Sequence, residues 1–131
     1  MMQFPEDLRY TKEHEWLRMD GTDAAIGITD FAQDALGDVV FVELPAVGAQ
    51  LTRGQTFGVV ESNKTVSDLF APVGGRVLAV NQLLRDEPEL VNQDPYGAGW
   101  MIRVVPSRRD EIESLLDAAA YRAFVASEQK T

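Results

Sequence analysis

Short runs in which apolar and polar residues alternate fill the first two-thirds of the chain, and turn-forming residues separate them. Glu15-Trp16-Leu17-Arg18-Met19 and Ala24-Ala25-Ile26-Gly27-Ile28 flank Asp20-Gly21, the pattern of a β-hairpin. Thr29-Asp30 can then cap a short helix over Phe31–Leu36 that Gly37 ends. Val39–Leu44 is rich in β-branched and aromatic residues and stops at Pro45, as a strand would. Gln55–Ser62 and Thr65–Ala71 are β-competent on either side of Asn63-Lys64. They predict a hairpin with Lys64 at its tip pointing into solvent, and with Asn63 supplying the left-handed backbone that a two-residue turn favours. Pro72–Gly75 reads as the next turn and Arg76–Val80 as the strand after it.

The period changes in the last third. Asn81–Arg85 can form one or two helical turns before Asp86-Glu87-Pro88, Asn92–Gly99 is turn-rich, and Trp100–Val105 is the final predicted strand. Ser107, with Asp110 three residues on, reads as a capping box for a helix through Ile112, Leu115 and Leu116. Asp117 restarts a second helix to Ser127, where Tyr121, Phe124 and Val125 recur at helical spacing, and the tail from Glu128 is expected to fray. The expected architecture is mainly β with short helices and a C-terminal helical pair at about 107–127, in one domain spanning 1–131.

Composition narrows the chemistry. The chain has 131 residues, 45% hydrophobic and 25% charged, enough for one ordinary core. Twelve Lys plus Arg against 21 Asp plus Glu give a net charge of -9, which makes nucleic acid and anionic membranes poor partners and favours basic proteins. From Met19 to Thr52 there are six acids and no base, either a solvated face or a docking surface. No cysteine is present, so thiolate nucleophiles and Cys-based metal sites are excluded, and any sulfur chemistry must arrive on a cofactor. His14 is the one histidine, so no metal site is expected. Met1–Asp7 has neither a basic n-region nor an apolar h-region, and no run approaches the roughly 20 apolar residues of a membrane span. A cytoplasmic location is the expectation.

A lysine at a tight hairpin tip is open to a modifying enzyme, or is simply a solvated side chain. Its neighbours carry more information. Val60-Glu61-Ser62-Asn63-Lys64-Thr65-Val66-Ser67-Asp68-Leu69-Phe70-Ala71-Pro72-Val73 resembles the lipoyl-lysine segment of the glycine cleavage system H protein family. Tyr10–Trp16 resembles that family's opening motif. Gly27–Asp30 with Ala32-Gln33, and Leu36–Pro45, resemble its central block. Leu90-Val91-Asn92, Asp94–Gly97 and Gly99-Trp100 resemble its late motif. The chain departs from the pattern at Asn63 and Thr65, where small apolar residues are usual, and at Gly74, often a serine.

The resemblance implies a hybrid barrel-sandwich of the lipoyl/biotinyl type and a non-catalytic carrier with lipoate covalently attached to Lys64. The lipoyl arm would take the aminomethyl group of glycine from the PLP-dependent glycine decarboxylase (P-protein) to the tetrahydrofolate-dependent aminomethyltransferase (T-protein). Dihydrolipoyl dehydrogenase (L-protein) would then reoxidise it. A lipoate-attaching enzyme is a further implied partner, with Glu61, Ser67 and Asp68 as candidates for recognition; each is otherwise a solvated polar residue. A loaded arm needs shelter from water, so a groove beside the hairpin is expected. His14 either lines it or is structural, while Trp16 and Trp100 are expected to pack in the core or the groove. A monomer suits a carrier that visits several enzymes. Two other readings stay open: an H-like lipoyl donor or relay to other enzymes, and an enzyme whose Lys64 forms a Schiff base, which would need that lysine buried.

Overall fold

A computed structural model describes residues 2–129. In chain order the elements are β1 (Arg9–Tyr10), β2 (Glu15–Asp20), β3 (Asp23–Ile28), α1 (Asp30–Leu36), β4 (Val39–Glu43), β5 (Gln50–Leu51), β6 (Thr56–Ser62) and β7 (Val66–Phe70). There follow β8 (Gly75–Val80), α2 (Leu83–Asp86), α3 (Leu90–Gln93), β9 (Ile102–Pro106), α4 (Arg109–Glu113) and α5 (Ala118–Gln129). The strands form two antiparallel sheets, one ordered β1-β2-β3-β9-β8-β5 and the other β4-β6-β7. Leu17, Ile26 and Val104 of the larger sheet meet Val42, Val60 and Leu69 of the smaller in one buried cluster, so the fold is a β-sandwich of the lipoyl/biotinyl type.

The alternation read from β2 and β3 is realised on both faces. Leu17 and Ile26 point into the sandwich, whereas Trp16 and Ala25 point to the opposite side, into a second cluster with Tyr10, Tyr121 and Val125. Trp16 is fully buried because its indole lies over Gly27, its directly paired neighbour, where a Cβ would come within 2.8 Å of the ring. The indole N–H donates to the Pro95 carbonyl at 3.0 Å. Trp100 is partly buried against the same cluster. The helix α5 covers this outer face, with the Tyr121 ring stacked on Tyr10 at 4.5 Å between centroids.

Several boundaries differ from expectation, each for a local reason. Ser107 does not cap α4: Arg108, in extended conformation, is the N-cap and makes no side-chain cap bond. The Ser107 hydroxyl instead accepts from Gln50 Nε2, and Asp110 pairs with the Arg108 guanidinium. The first C-terminal helix is therefore only Arg109–Glu113, and Leu116 forms a bridge with Tyr10. The second begins as expected, with Asp117 Oδ1 accepting from Ala120 N, but runs to Gln129. Glu128 is helical because its carboxylate meets His14; the last two residues of the expected frayed tail lie outside the described residues. The short strands β1 and β5 and the helix α3 lie where no strand or helix is predicted, since two to four residues show no period.

Candidate functional site

Lys64 is exposed at the tip of the β6–β7 hairpin. Ser62 N donates to the Thr65 carbonyl at 2.8 Å and closes the turn around Asn63 and Lys64. Asn63 is not left-handed as expected: His14 is the only non-glycine with positive φ among the described residues. The turn is held instead by the half-enclosed Ser62 hydroxyl, which accepts from Lys64 N at 3.1 Å and Thr65 N at 3.2 Å. A serine side chain substitutes here for the backbone twist that Asn63 is predicted to supply. Asn63 N in turn donates to the Asp38 carbonyl at 3.2 Å, tying the tip to the end of α1.

Gly37, the C-cap of α1, has φ +83 and ψ −161, a conformation essentially confined to glycine. The missing side chain leaves room for Lys64: a Cβ at Gly37 would lie 2.8 Å from Lys64 Cε and 3.5 Å from Nζ. The lysine stem thus rests across the carbonyl end of α1, where a cation is favoured by the helix dipole. The Gly37 carbonyl is held by Asn92 Nδ2 at 2.9 Å, and Asn92 Oδ1 accepts from Val39 N at 2.8 Å.

Beside the tip lies a half-open cavity of about 300 Å³, at the small end of ligand pockets. One wall is the turn Glu13-His14-Glu15; a second is the α1 face bearing Phe31, Ala32, Ala35 and Leu36; the third is Thr65–Leu69 along β7. Since β7 is an edge strand, residues from both of its faces border the cavity. The lining has three carboxyl side chains, Glu13, Glu15 and Asp68, and no Lys or Arg. Another cavity, of about 270 Å³, is lined by Lys12, Arg53 and the Ser114–Leu116 segment and does not include the hairpin tip.

Glu15 is buried. Its Oε1 accepts from the Thr11 hydroxyl at 2.7 Å and its Oε2 from Phe70 N at 3.2 Å, so the carboxyl satisfies an N–H on the open edge of β7. Burial pushes its pKa up to about 7, against the lowering effect of those two donors. His14 is hydrogen-bonded through both ring nitrogens, 2.7 Å from the Tyr121 hydroxyl and 2.9 Å from Glu128 Oε1, and its ring packs 4.8 Å from Phe31. Burial raises the Tyr121 phenol so that it keeps its proton.

Of the expected site residues, Ser67, Asp68 and His14 border the cavity together; Lys64 is at the hairpin tip, next in the chain to the lining residue Thr65. Glu61 does not line it. It lies in the row Phe41–Glu61–Val66 across the smaller sheet, and Phe41 and Val66 are 48% and 61% exposed on either side of it. Sequence reasoning passed over Glu13, Glu15 and Phe31. Glu15 had a signal: it precedes Leu17 by two, so strand alternation turns an acid toward the core.

The model of the family described as Glycine cleavage H-protein matches residues 8–128. The chain belongs to this family. Relatives include the glycine cleavage system H protein of Mycobacterium avium, 61% identical over 127 residues that cover 93% of this chain and 96% of that one. That of Anaeromyxobacter sp. strain K is 58% identical over 128 residues, 98% of this chain and all of the relative. The crystal structure of a glycine cleavage system H protein from Mycobacterium marinum superposes with a TM-score of 0.86 at 42% identity, covering 93% and 98% of the two chains. As a family member the chain is a non-catalytic lipoyl carrier that shuttles the aminomethyl group among the P-, T- and L-proteins of glycine cleavage. Membership implies a lipoyl-lysine.

Proposed function

We propose that Lys64 bears the lipoyl group and that the cavity beside it receives the end of the arm when loaded. The observation that carries this reading is the placement of an exposed lysine next to a half-open cavity bordered by the five residues that follow it in the chain. The residues fit the group. The tip leaves the amine accessible to a lipoate-attaching enzyme, and apolar Phe31, Ala35, Leu36 and Val66 can cover a hydrocarbon arm. When bound, the lipoyl group supplies the disulfide that accepts the aminomethyl cargo and is later reoxidised.

The chain's own part is electrostatic and steric. Three carboxyl groups without a cation suit an amine, and a Glu15 that titrates near neutrality gains charge when a cation approaches. The apolar walls keep water from the arm. Glu61 and Asp68, close in sequence to Lys64, suit recognition by the lipoate-attaching enzyme, as does Ser67, which borders the cavity together with Asp68; the P-, T- and L-proteins would meet the same end of the molecule.

Incubation with lipoate ligase, lipoate and ATP, followed by intact and peptide mass measurement, tests the attachment site. One lipoyl addition at Lys64, absent from Lys64→Arg, is the expected result. Addition that persists in Lys64→Arg would overturn it.

A further inference from the structure

The carrier reading leaves α5 outside the site, yet one hydroxyl on that helix touches both of the cavity walls that are not part of the hairpin. Tyr121 Oη lies 2.7 Å from Thr29 Oγ1 and 2.7 Å from His14 Nδ1. Thr29 is the N-cap of α1, whose face forms one wall, and His14 is the middle residue of the Glu13–Glu15 wall. Two turns further along α5, Glu128 Oε1 lies 2.9 Å from His14 Nε2.

The hydrogen bonds form one continuous chain: Thr29 Oγ1, which accepts from Ala32 N, pairs with Tyr121 Oη, Tyr121 Oη pairs with His14 Nδ1, and His14 Nε2 pairs with the Glu128 carboxylate. His14 has φ 73, a strained conformation for a residue with a Cβ, which persists only where its surroundings hold it. His14 lies in the turn that leads into β2, and three successive residues, Glu13, His14 and Glu15, border the cavity there.

We infer that Tyr121 is a positioning residue for the arm cavity, its hydroxyl adding a side-chain tie between the α1 wall and the Glu13–Glu15 wall to the backbone bond that Thr29 N donates to the His14 carbonyl at 3.0 Å. This rests on the sheltering role proposed above. The ring itself is held independently, stacked on Tyr10 and edge-on to Phe4 at 5.4 Å, so removing the hydroxyl leaves the packing of α5 in place.

Tyr121→Phe is the test, with Tyr10→Phe as the control. Tyr10 is in the same stack and its hydroxyl donates to the Pro5 carbonyl at 2.7 Å, but it does not border this cavity. In the unmodified proteins, amide hydrogen exchange is read at Glu13–Glu15 and Phe31–Leu36. In the lipoylated proteins loaded by glycine decarboxylase, the half-life of the aminomethyl group is compared with that on free dihydrolipoamide. Tyr121→Phe is expected to speed exchange in both walls and shorten the half-life, each by about tenfold, the scale of one lost buried hydrogen bond. Tyr10→Phe should leave both readouts near wild type. Wild-type behaviour in Tyr121→Phe, or equal changes in Tyr10→Phe, would overturn the inference alone. A wild-type half-life no longer than that of the free adduct would overturn the sheltering role instead.

Discussion

Glu15 places an ionisable group inside a sandwich whose other inward residues on β2 and β3 are apolar. Its pKa is raised by burial from 4.5 to about 7. A raised carboxyl favours the folded state fully below its unfolded pKa, and that contribution is lost as pH climbs through the folded value. The window is therefore about pH 4.5 to 7. Glu15→Gln removes the titration but also one acceptor, for either Thr11 or Phe70. Relative to Glu15→Gln, the wild type should lose on the order of 2 kcal/mol of unfolding free energy between pH 5 and pH 8, measured by urea denaturation. A difference between the two proteins that does not vary with pH would contradict this. Gly37 makes the opposite demand, for no side chain at all. Gly37→Ala should cost about 1–3 kcal/mol, from the glycine-only backbone and from the displaced Lys64 stem, and thermal unfolding would show it.

At the scale of elements, the hairpin depends on a hydroxyl that is two residues away from the lysine it presents. Ser62→Ala removes the acceptor for Lys64 N and Thr65 N, and should cost about 1–2 kcal/mol while speeding amide exchange at those two positions, read by NMR. If exchange there stays as slow as in the wild type, the backbone bond from Ser62 N to the Thr65 carbonyl suffices by itself. The hairpin was legible in the sequence because two β-competent runs bracket Asn63-Lys64, and the helix α1 because Thr29 and Gly37 mark its ends. What held the turn was not legible, because Ser62 stands in a strand and its hydroxyl acts only once Lys64 and Thr65 fold back over it. The cavity was foreseen as a need of the chemistry, with His14 as its one candidate residue. Its walls join residue 13 to residue 69, and the left-handed His14 that shapes one wall depends on α5, more than a hundred residues away. Ser107 misled for a related reason: a capping pattern is local, and Gln50, from the distant strand β5, engages the hydroxyl.

Across the whole molecule the acidic stretch from Met19 to Thr52 divides into two groups with different work. Asp20 and Asp23 both pair with Arg103, at 2.7 and 2.9 Å, and Asp30 accepts from Gln3 N and Gln33 Nε2. These three are engaged by the fold. Asp34, Asp38 and Glu43 are exposed, and the backbone of Asp38 is bonded to the hairpin tip. With Glu61 and Asp68 they give the lysine-bearing end a concentration of negative charge, next to exposed Val40, Phe41 and Val66. Such a field speeds encounter with basic partner surfaces and is screened over about 8 Å at physiological salt. In a coupled assay with the P-protein, kcat/KM for the carrier should therefore fall as salt rises from about 20 to 300 mM. Asp34→Asn with Asp38→Asn should lower the low-salt value several-fold and flatten the salt dependence, with little change in thermal stability. Asp20→Asn should do the reverse, lowering stability by breaking the pair with Arg103 and leaving the slope intact. A turnover insensitive to ionic strength in the wild type would mean that these exposed acids keep the carrier soluble and do not steer it.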